Sequence, residues 1–137
     1  MIRKYKDGDL EKLEPNEYVD LDLFGERLKD ILDNYETSIL EEKEENIAII
    51  SFREYTAFCY TAFFICSKKI TAKHMHDIRN FVQGLIKDFS VKRVETLCLN
   101  NKAINSMMLY LGFTLEGTKR KFFKDTDYNM WGYVNGL

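Results

Sequence analysis

Three segments in immediate succession constrain this chain more than any other feature. Ala57 to Cys66 is an apolar run rich in Phe and Tyr. Met75, Ile78, Val82, Leu85 and Phe89 then repeat at the helical period, supported by Phe81 and Ile86, and Val94 to Leu99 is a second apolar run. Runs of this length and residue type are strands, and two strands joined through an amphipathic helix form a right-handed crossover with the strands parallel. Strands so uniformly apolar are central and covered on both faces. Thr71 is the expected cap of the helix between them.

The flanking segments complete a mixed sheet. Ile2 to Tyr5 reads as a short strand, and Asp7 or Asp9 as the cap of a brief helix through Leu13, before a loop around Pro15, the only proline. Phe24, Leu28, Ile31 and Tyr35, with Leu21 and Leu32 beside them, form the stripe of a core-facing helix that Asp20 or Asp22 would cap. Ser38 to Glu42 and Ile47 to Phe52 are two strands around the charged turn EEKEE. After the crossover, Asn100 or Asn101 caps a short helix carrying Ile104, Met107, Met108 and Leu111, which Gly112 ends in a left-handed conformation with Phe113 folding back. Thr114 to Phe123 and Asp127 to Val134 are a closing hairpin with the turn KDTD. The order is β-α-α-β-β-β-α-β-α-β-β, an α/β class with a mixed α+β sheet in one domain spanning residues 1–137.

Composition excludes several function classes. With 45% hydrophobic and 31% charged residues, seven Gly and one Pro, the chain is neither collagen-like nor disordered. No apolar stretch approaches the ~20 residues of a membrane helix, and the first residues lack a signal-peptide core, so a cytoplasmic protein without membrane contact is expected. Cys59, Cys66 and Cys98 lie far apart within apolar runs, as reduced core thiols do, and no CxxC zinc motif is present. The net charge is −2, but residues 1–46 hold 15 acidic and 7 basic side chains, and the remainder 7 acidic and 13 basic. The basic side chains form two clusters: Lys68, Lys69 and Lys73 near a helix start, and Lys119, Arg120, Lys121 and Lys124 on the last hairpin. Cations at a helix N-terminus suit a phosphorylated ligand. The abundant aromatics are expected mostly in the core, and nucleic-acid binding is not expected.

Just after Leu99, the segment NNKAINSMMLYLGFTLEG, Asn100 to Gly117, resembles the C-terminal motif of the GNAT superfamily of N-acetyltransferases. Asn101 precedes Gly112 by eleven positions, and Gly112, Phe113, Glu116 and Gly117 match the rest. Arg120 falls where ribosomal-protein N-terminal acetyltransferases often carry a basic residue, and the element order agrees over nearly the whole chain. The resemblance implies the GNAT acyl-CoA N-acyltransferase fold. It implies acetyl-CoA held where the two crossover strands splay apart, its thioester carbonyl bonded by backbone at Phe64, Ile65 or Cys66. Its phosphates would lie near Lys68, Lys69, Lys73 and His74, with Asn101 also at the cofactor. A primary amine of a small molecule or protein would be the acceptor.

Two departures from the family pattern bear on chemistry. GNAT enzymes carry a glycine-containing loop around the cofactor's pyrophosphate, because glycine lets backbone amides approach it; this chain has SKKITAKHMHD there, without glycine. The tyrosine that protonates the leaving thiolate in many members falls at Met108 here, and Tyr110 lies two residues on, on another helix face. His74, Glu54 and Tyr60 are the candidate catalytic groups, His74 for its near-neutral titration and Glu54 and Tyr60 for their place by the central strands. His74 and His76 diverge by about 200° on a helix, so no metal site is expected. The alternative reading is a GNAT-fold protein without catalysis, serving as a binding or structural component, as among phage-encoded and virion-associated relatives. A homodimer, formed by pairing edge strands or by exchanging the last strand, is a further expectation.

Overall fold

Apolar side chains on both faces of one long strand organise the molecule. In the computed structural model, which describes residues 1–136, strand β3 (Glu45–Thr56) is buried without interruption from Asn46 to Phe52. Ile49 turns to one face with Ile39 and Ile65, while Ile50 and Phe52 turn to the other. Burial on both faces requires cover on both.

The sheet has seven strands: β1 (Ile2–Lys4), β2 (Glu36–Glu42), β3, β4 (Cys59–Cys66), β5 (Arg93–Leu99), β6 (Thr114–Phe123) and β7 (Thr126–Val134), in spatial order β1-β2-β3-β4-β5-β7-β6. Only β4 and β5 run parallel, joined by helix α2 (Ala72–Asp88), which is the crossover read from the sequence. On one face, Ile78, Val82 and Ile86 of α2 and Met108 of α3 (Lys102–Tyr110) pack with Ile50, Phe52 and Val94. On the other, Leu28 and Leu32 of α1 (Leu28–Asn34) cover Ile39, Ile49 and Ile65. Truncating Ile49 or Ile50 to Ala would cost on the order of 2–5 kcal/mol on either side.

The first two helices differ from expectation. The brief helix is a single tight turn, Leu10–Lys12, and Asp9 before it makes no side-chain cap. Its wholly buried carboxylate instead takes both Arg3 guanidinium nitrogens, at 2.8 and 2.9 Å, and the Lys6 amide at 2.7 Å. The second helix breaks at Gly25, whose φ of 59° kinks a 3-10 stretch (Leu21–Arg27) that then runs on into α1. Asp20 caps that stretch by accepting the Asp22 N–H. The apolar spacing continues across the break, so periodicity alone does not register it.

The turns show how this chain bends with little glycine. Lys43 and Glu44, with φ of 51° and 66°, turn β2 into β3, and Lys124 and Asp125, with φ of 50° and 56°, turn β6 into β7. Two consecutive left-handed residues match the strand twist. Ala57 and Phe58 turn β3 into β4, so β4 begins two residues later than the apolar run. Gly112, with a φ of 96°, closes α3, and a Cβ there would come within 3.1 Å of the Tyr133 ring. The sheet ends on β1, only three residues long, and on β6, where Lys119, Arg120 and Lys121 accompany a register break before Phe123. Cations and a bulge on an edge oppose pairing with a further strand.

Candidate active site

β4 and β5 stay together for three residue pairs only: Cys59 with Arg93, Tyr60 with Val94 and Thr61 with Glu95. Beyond them β4 follows β3 and β5 follows β7, so each keeps its outer partner and loses the inner one. The gap is a narrow cleft with a cavity volume of about 60 Å³, open at its mouths, walled by Phe63, Phe64 and Cys66 on one strand and Thr96, Leu97, Cys98 and Leu99 on the other. Ile104 and Met107 line it from the α3 side, and Leu23 and Phe24 from the α1 side, so the cleft passes through the sheet.

Strand alternation decides which backbone groups face it. The Ser67 N–H donates to the Ile47 carbonyl across β3, at 2.8 Å. Cys66 and Phe64 therefore point their N–H and C=O groups the other way, into the gap. Ile65 opposite Ile49 points to β3, and its side chain is buried beneath α1. Of the three backbone positions expected to bond a thioester, Phe64 and Cys66 face the cleft and Ile65 does not. The Cys66 carbonyl already accepts the Asn16 N–H at 2.9 Å. Burial pushes the Cys66 thiol up to about 12 and the Cys98 thiol up to about 11, so both are neutral thiols.

The loop from β4 to α2 has few amides to offer a phosphate. Ser67 N–H goes to Ile47, Lys68 N–H to the Glu14 carbonyl at 3.1 Å, and Lys69 N–H to the Ser67 hydroxyl at 3.1 Å. Ile70 N–H returns to the Ser67 carbonyl at 3.1 Å, and Thr71 N–H donates to His74 Nδ1 at 3.0 Å. Ala72 and Lys73, in the first turn of α2, keep amides without helical partners. The side chains are also engaged: Lys68 pairs with Glu14, and Lys69 with Glu45 at 2.9 Å. Among the described residues Lys73 has no carboxylate within 4 Å. The acidic first third of the chain thus folds against the basic cluster and neutralises most of it.

The three catalytic candidates do not meet at the cleft. His74 is buried, and its Nδ1 lone pair is taken by the Thr71 amide, which leaves Nε2–H to donate to Glu42 at 3.1 Å. With Thr71 Oγ accepting the His74 N–H, this is a reciprocal cap of α2, and an imidazole without a free lone pair is not a base. The same contact holds the Glu42 carboxyl below its ordinary range. Glu54 and Tyr60 face each other in register at the closed end of the V, and Tyr60 lies about 13 Å along the strand from Phe64. The Tyr60 ring is packed between Phe52 and Phe89, and burial followed by the neighbouring Glu54 raises its phenol. Asn101 caps α3 through the Ala103 N–H at 2.8 Å, and Met108 is wholly buried.

Sequence reasoning missed Tyr128. From β7 it stands opposite Leu99, is 5% exposed and lines the cleft. Burial first, and then Asp20, raise its phenol, while Lys124 opposes them. Asp20 marks the mouth on the α1 face; Lys124 Nζ lies 2.8 Å away and keeps its carboxyl low. The signal was in the last hairpin, whose antiparallel register on β5 places Tyr128 at the cleft. Among the described residues no group of three His, Cys, Asp or Glu side chains is placed to hold a metal ion, and no helix is long and apolar enough to cross a membrane.

A mixed sheet opened between two parallel central strands, with α2 starting at the opening, defines the class: this chain has the fold of the GNAT N-acetyltransferases. The E. coli ribosomal-protein-S18-alanine N-acetyltransferase superposes with a TM-score of 0.72 over 100% of this chain and 94% of its own, at 13% identity. An IAA acetyltransferase from Bacillus cereus gives 0.73 over 98% of each chain at 10% identity. A GNAT family acetyltransferase from Elizabethkingia anophelis, with acetyl-CoA bound, gives 0.70 over 98% and 97% at 16% identity. No protein-family model and no curated protein sequence matches this chain.

Proposed function

We propose that this chain is an N-acyltransferase that takes the thioester arm of acetyl-CoA between β4 and β5 and passes the acetyl group to a primary amine arriving from the α1 face. The observation that carries the reading is the cleft through the sheet, bordered by the Phe64 and Cys66 N–H groups, which no strand of the sheet pairs. Fixed amides facing a low-dielectric slot bond an arm of peptide-like groups and stabilise negative charge on a carbonyl oxygen without reorganising. The apolar walls hold acceptor and thioester together and exclude water, so positioning supplies most of the rate. The bound thioester supplies the acetyl group and a thiol leaving group. Tyr128, whose raised phenol keeps its proton, is a donor within the cleft for the leaving thiolate; the amine attacks in its neutral form after losing a proton to water at the mouth, and the proton it sheds on forming the amide restores the phenol.

The fit of acetyl-CoA to this site is unequal along its length. The amides and apolar links of the arm match the free backbone edge and apolar walls of the cleft, which must widen from about 60 Å³ to admit it. The pyrophosphate does not fit the Ser67–Thr71 loop, whose amides are engaged, and it is left with the Ala72 and Lys73 amides and the Lys73 ammonium. A second reading, a GNAT-fold protein without catalysis that serves as a binding or structural component, is favoured by that same closed loop. Calorimetric titration with acetyl-CoA and with acetyl-pantetheine, which lacks the phosphates, separates the two. Micromolar affinity for acetyl-CoA and acetylation of an amine support the first reading; no heat from either ligand at millimolar concentration rejects it in favour of the second.

A further inference from the structure

We infer that the segment 14–19 of this chain is an internal occupant of the cleft, which a ligand bonding along the free edge of β4 must displace. This rests on the acyl-CoA reading and adds to it a self-blocking contact.

The Asn16 N–H donates to the Cys66 carbonyl at 2.9 Å, and the Lys68 N–H donates to the Glu14 carbonyl at 3.1 Å. Together they make one antiparallel rung between Pro15 and Ser67, outside the named strands. Both β4-side groups lie on the edge that faces away from β3, where a bound arm would run. The chain's own backbone thus occupies the end of that edge by strand addition, a mode peptides use on open sheets. The Lys68–Glu14 ion pair closes the rung from outside. Asn16 Oδ1 then accepts the Tyr18 N–H at 3.1 Å, and the turn sends Tyr18, Val19 and Asp20 along the cleft wall.

The rung is built to be short. Pro15 has no N–H, so the ladder cannot grow through it, and the bridge consists of two hydrogen bonds. Firm anchors stand on either side: Asp9 in the grip of Arg3 before it, and Asp20 with Lys124 after it. The stretch between them can leave the edge while both ends stay fixed. A ligand that needs the vacated edge then sees an affinity lowered by the fraction of molecules in which the edge is free.

Asn16→Pro removes the donor to Cys66, and Glu14→Gln, as a milder second variant, removes the ion pair. Affinity for acetyl-pantetheine is measured by calorimetry for the wild type and both variants. Exchange of the Asn16 amide in the wild type is followed with and without the ligand. The expected result is faster Asn16 exchange when acetyl-pantetheine is bound and at least threefold tighter binding by Asn16→Pro, with a smaller gain for Glu14→Gln. Equal affinity in all three proteins, or an Asn16 amide as protected with ligand as without, overturns the internal occupant and leaves the acyl-CoA reading standing. No binding by any of the three overturns both. Should Asn16→Pro fail to fold, the Glu14→Gln affinity and wild-type exchange decide in the same way.

Discussion

His74 Nε2 stands 3.1 Å from the Glu42 carboxylate while its Nδ1 takes the Thr71 amide, so a residue with the chemistry of a base is used to fasten the start of α2 to the β2–β3 hairpin. His74→Ala removes a cap and a cross-link together and is expected to lower stability by about 1–2 kcal/mol in urea unfolding. His74→Gln, able to reach back to the Thr71 N–H from the same position, should recover part of the loss. A His74→Ala protein as stable as wild type would show that the cap carries no weight.

Asp9 gives a pH dependence with a definite sign. Arg3 foremost, and then the Lys6 amide, hold its carboxyl down at about 2 against the desolvation that would raise it, compared with 3.8 for a free side chain. A folded-state value below the unfolded one contributes stability above about pH 4 that is lost as pH falls toward 2. Asp9→Asn should therefore lower the wild-type melting temperature at pH 7 and flatten its decline between pH 4 and 2. Removing one partner of such a buried pair costs on the order of 3 kcal/mol. Parallel acid profiles for both proteins would remove Asp9 from the account.

The β2–β3 turn offers a stabilising change. Lys43 and Glu44 both hold left-handed φ values, which cost L-residues roughly 1 kcal/mol each relative to glycine or asparagine. Lys43→Asn with Glu44→Gly should raise stability by about 1 kcal/mol, read as an upward shift of the urea midpoint with unchanged slope.

The lysines at the start of α2 are not equivalent. Lys68 and Lys69 each hold a carboxylate, and Lys73 has none within 4 Å among the described residues. Lys73→Ala should weaken acetyl-CoA binding severalfold, whereas Lys68→Ala with Lys69→Ala should change it by less than about twofold, because those two ammoniums are held by Glu14 and Glu45 in exposed pairs rather than offered to the phosphates. Calorimetry on the three proteins checks the ranking, and a reversed order would place the phosphates inside the loop.

Tyr128→Phe tests the proton donor. The expected outcome is a fall in kcat of tenfold or more with the folding midpoint unchanged within a degree or two, since the ring and its packing against Phe122 remain. An unaltered rate would assign leaving-group protonation to solvent.

Much of the architecture is local in origin and legible in the amino-acid sequence alone. The crossover from Ala57 to Leu99, the Thr71 cap, an asparagine cap at 100 or 101 and the Gly112 stop each depend on residues within one or two turns of one another, so spacing and side-chain type suffice to place them to within a residue or two. Gly25 is visible as well, but an unbroken apolar stripe conceals its break, because Leu21 and Phe24 before the kink pack on the same cluster as Leu28 and Leu32 after it.

The site depends on contacts between residues far apart in sequence, and there the linear pattern is no guide. A basic cluster at Lys68, Lys69 and Lys73 read alone promises a phosphate, yet Glu14, Glu42 and Glu45 arrive from the first third of the chain to engage Lys68, His74 and Lys69. Glu54 and Tyr60 sit beside central strands, as expected, but at the end where those strands remain paired. Composition and periodicity set which segments become strands and helices, because those preferences are satisfied within a few residues. Which amides stay free, which charges are cancelled and where two parallel strands part was decided by the tertiary structure, because hydrogen-bond partners and neighbouring charges are assigned only when distant segments come together.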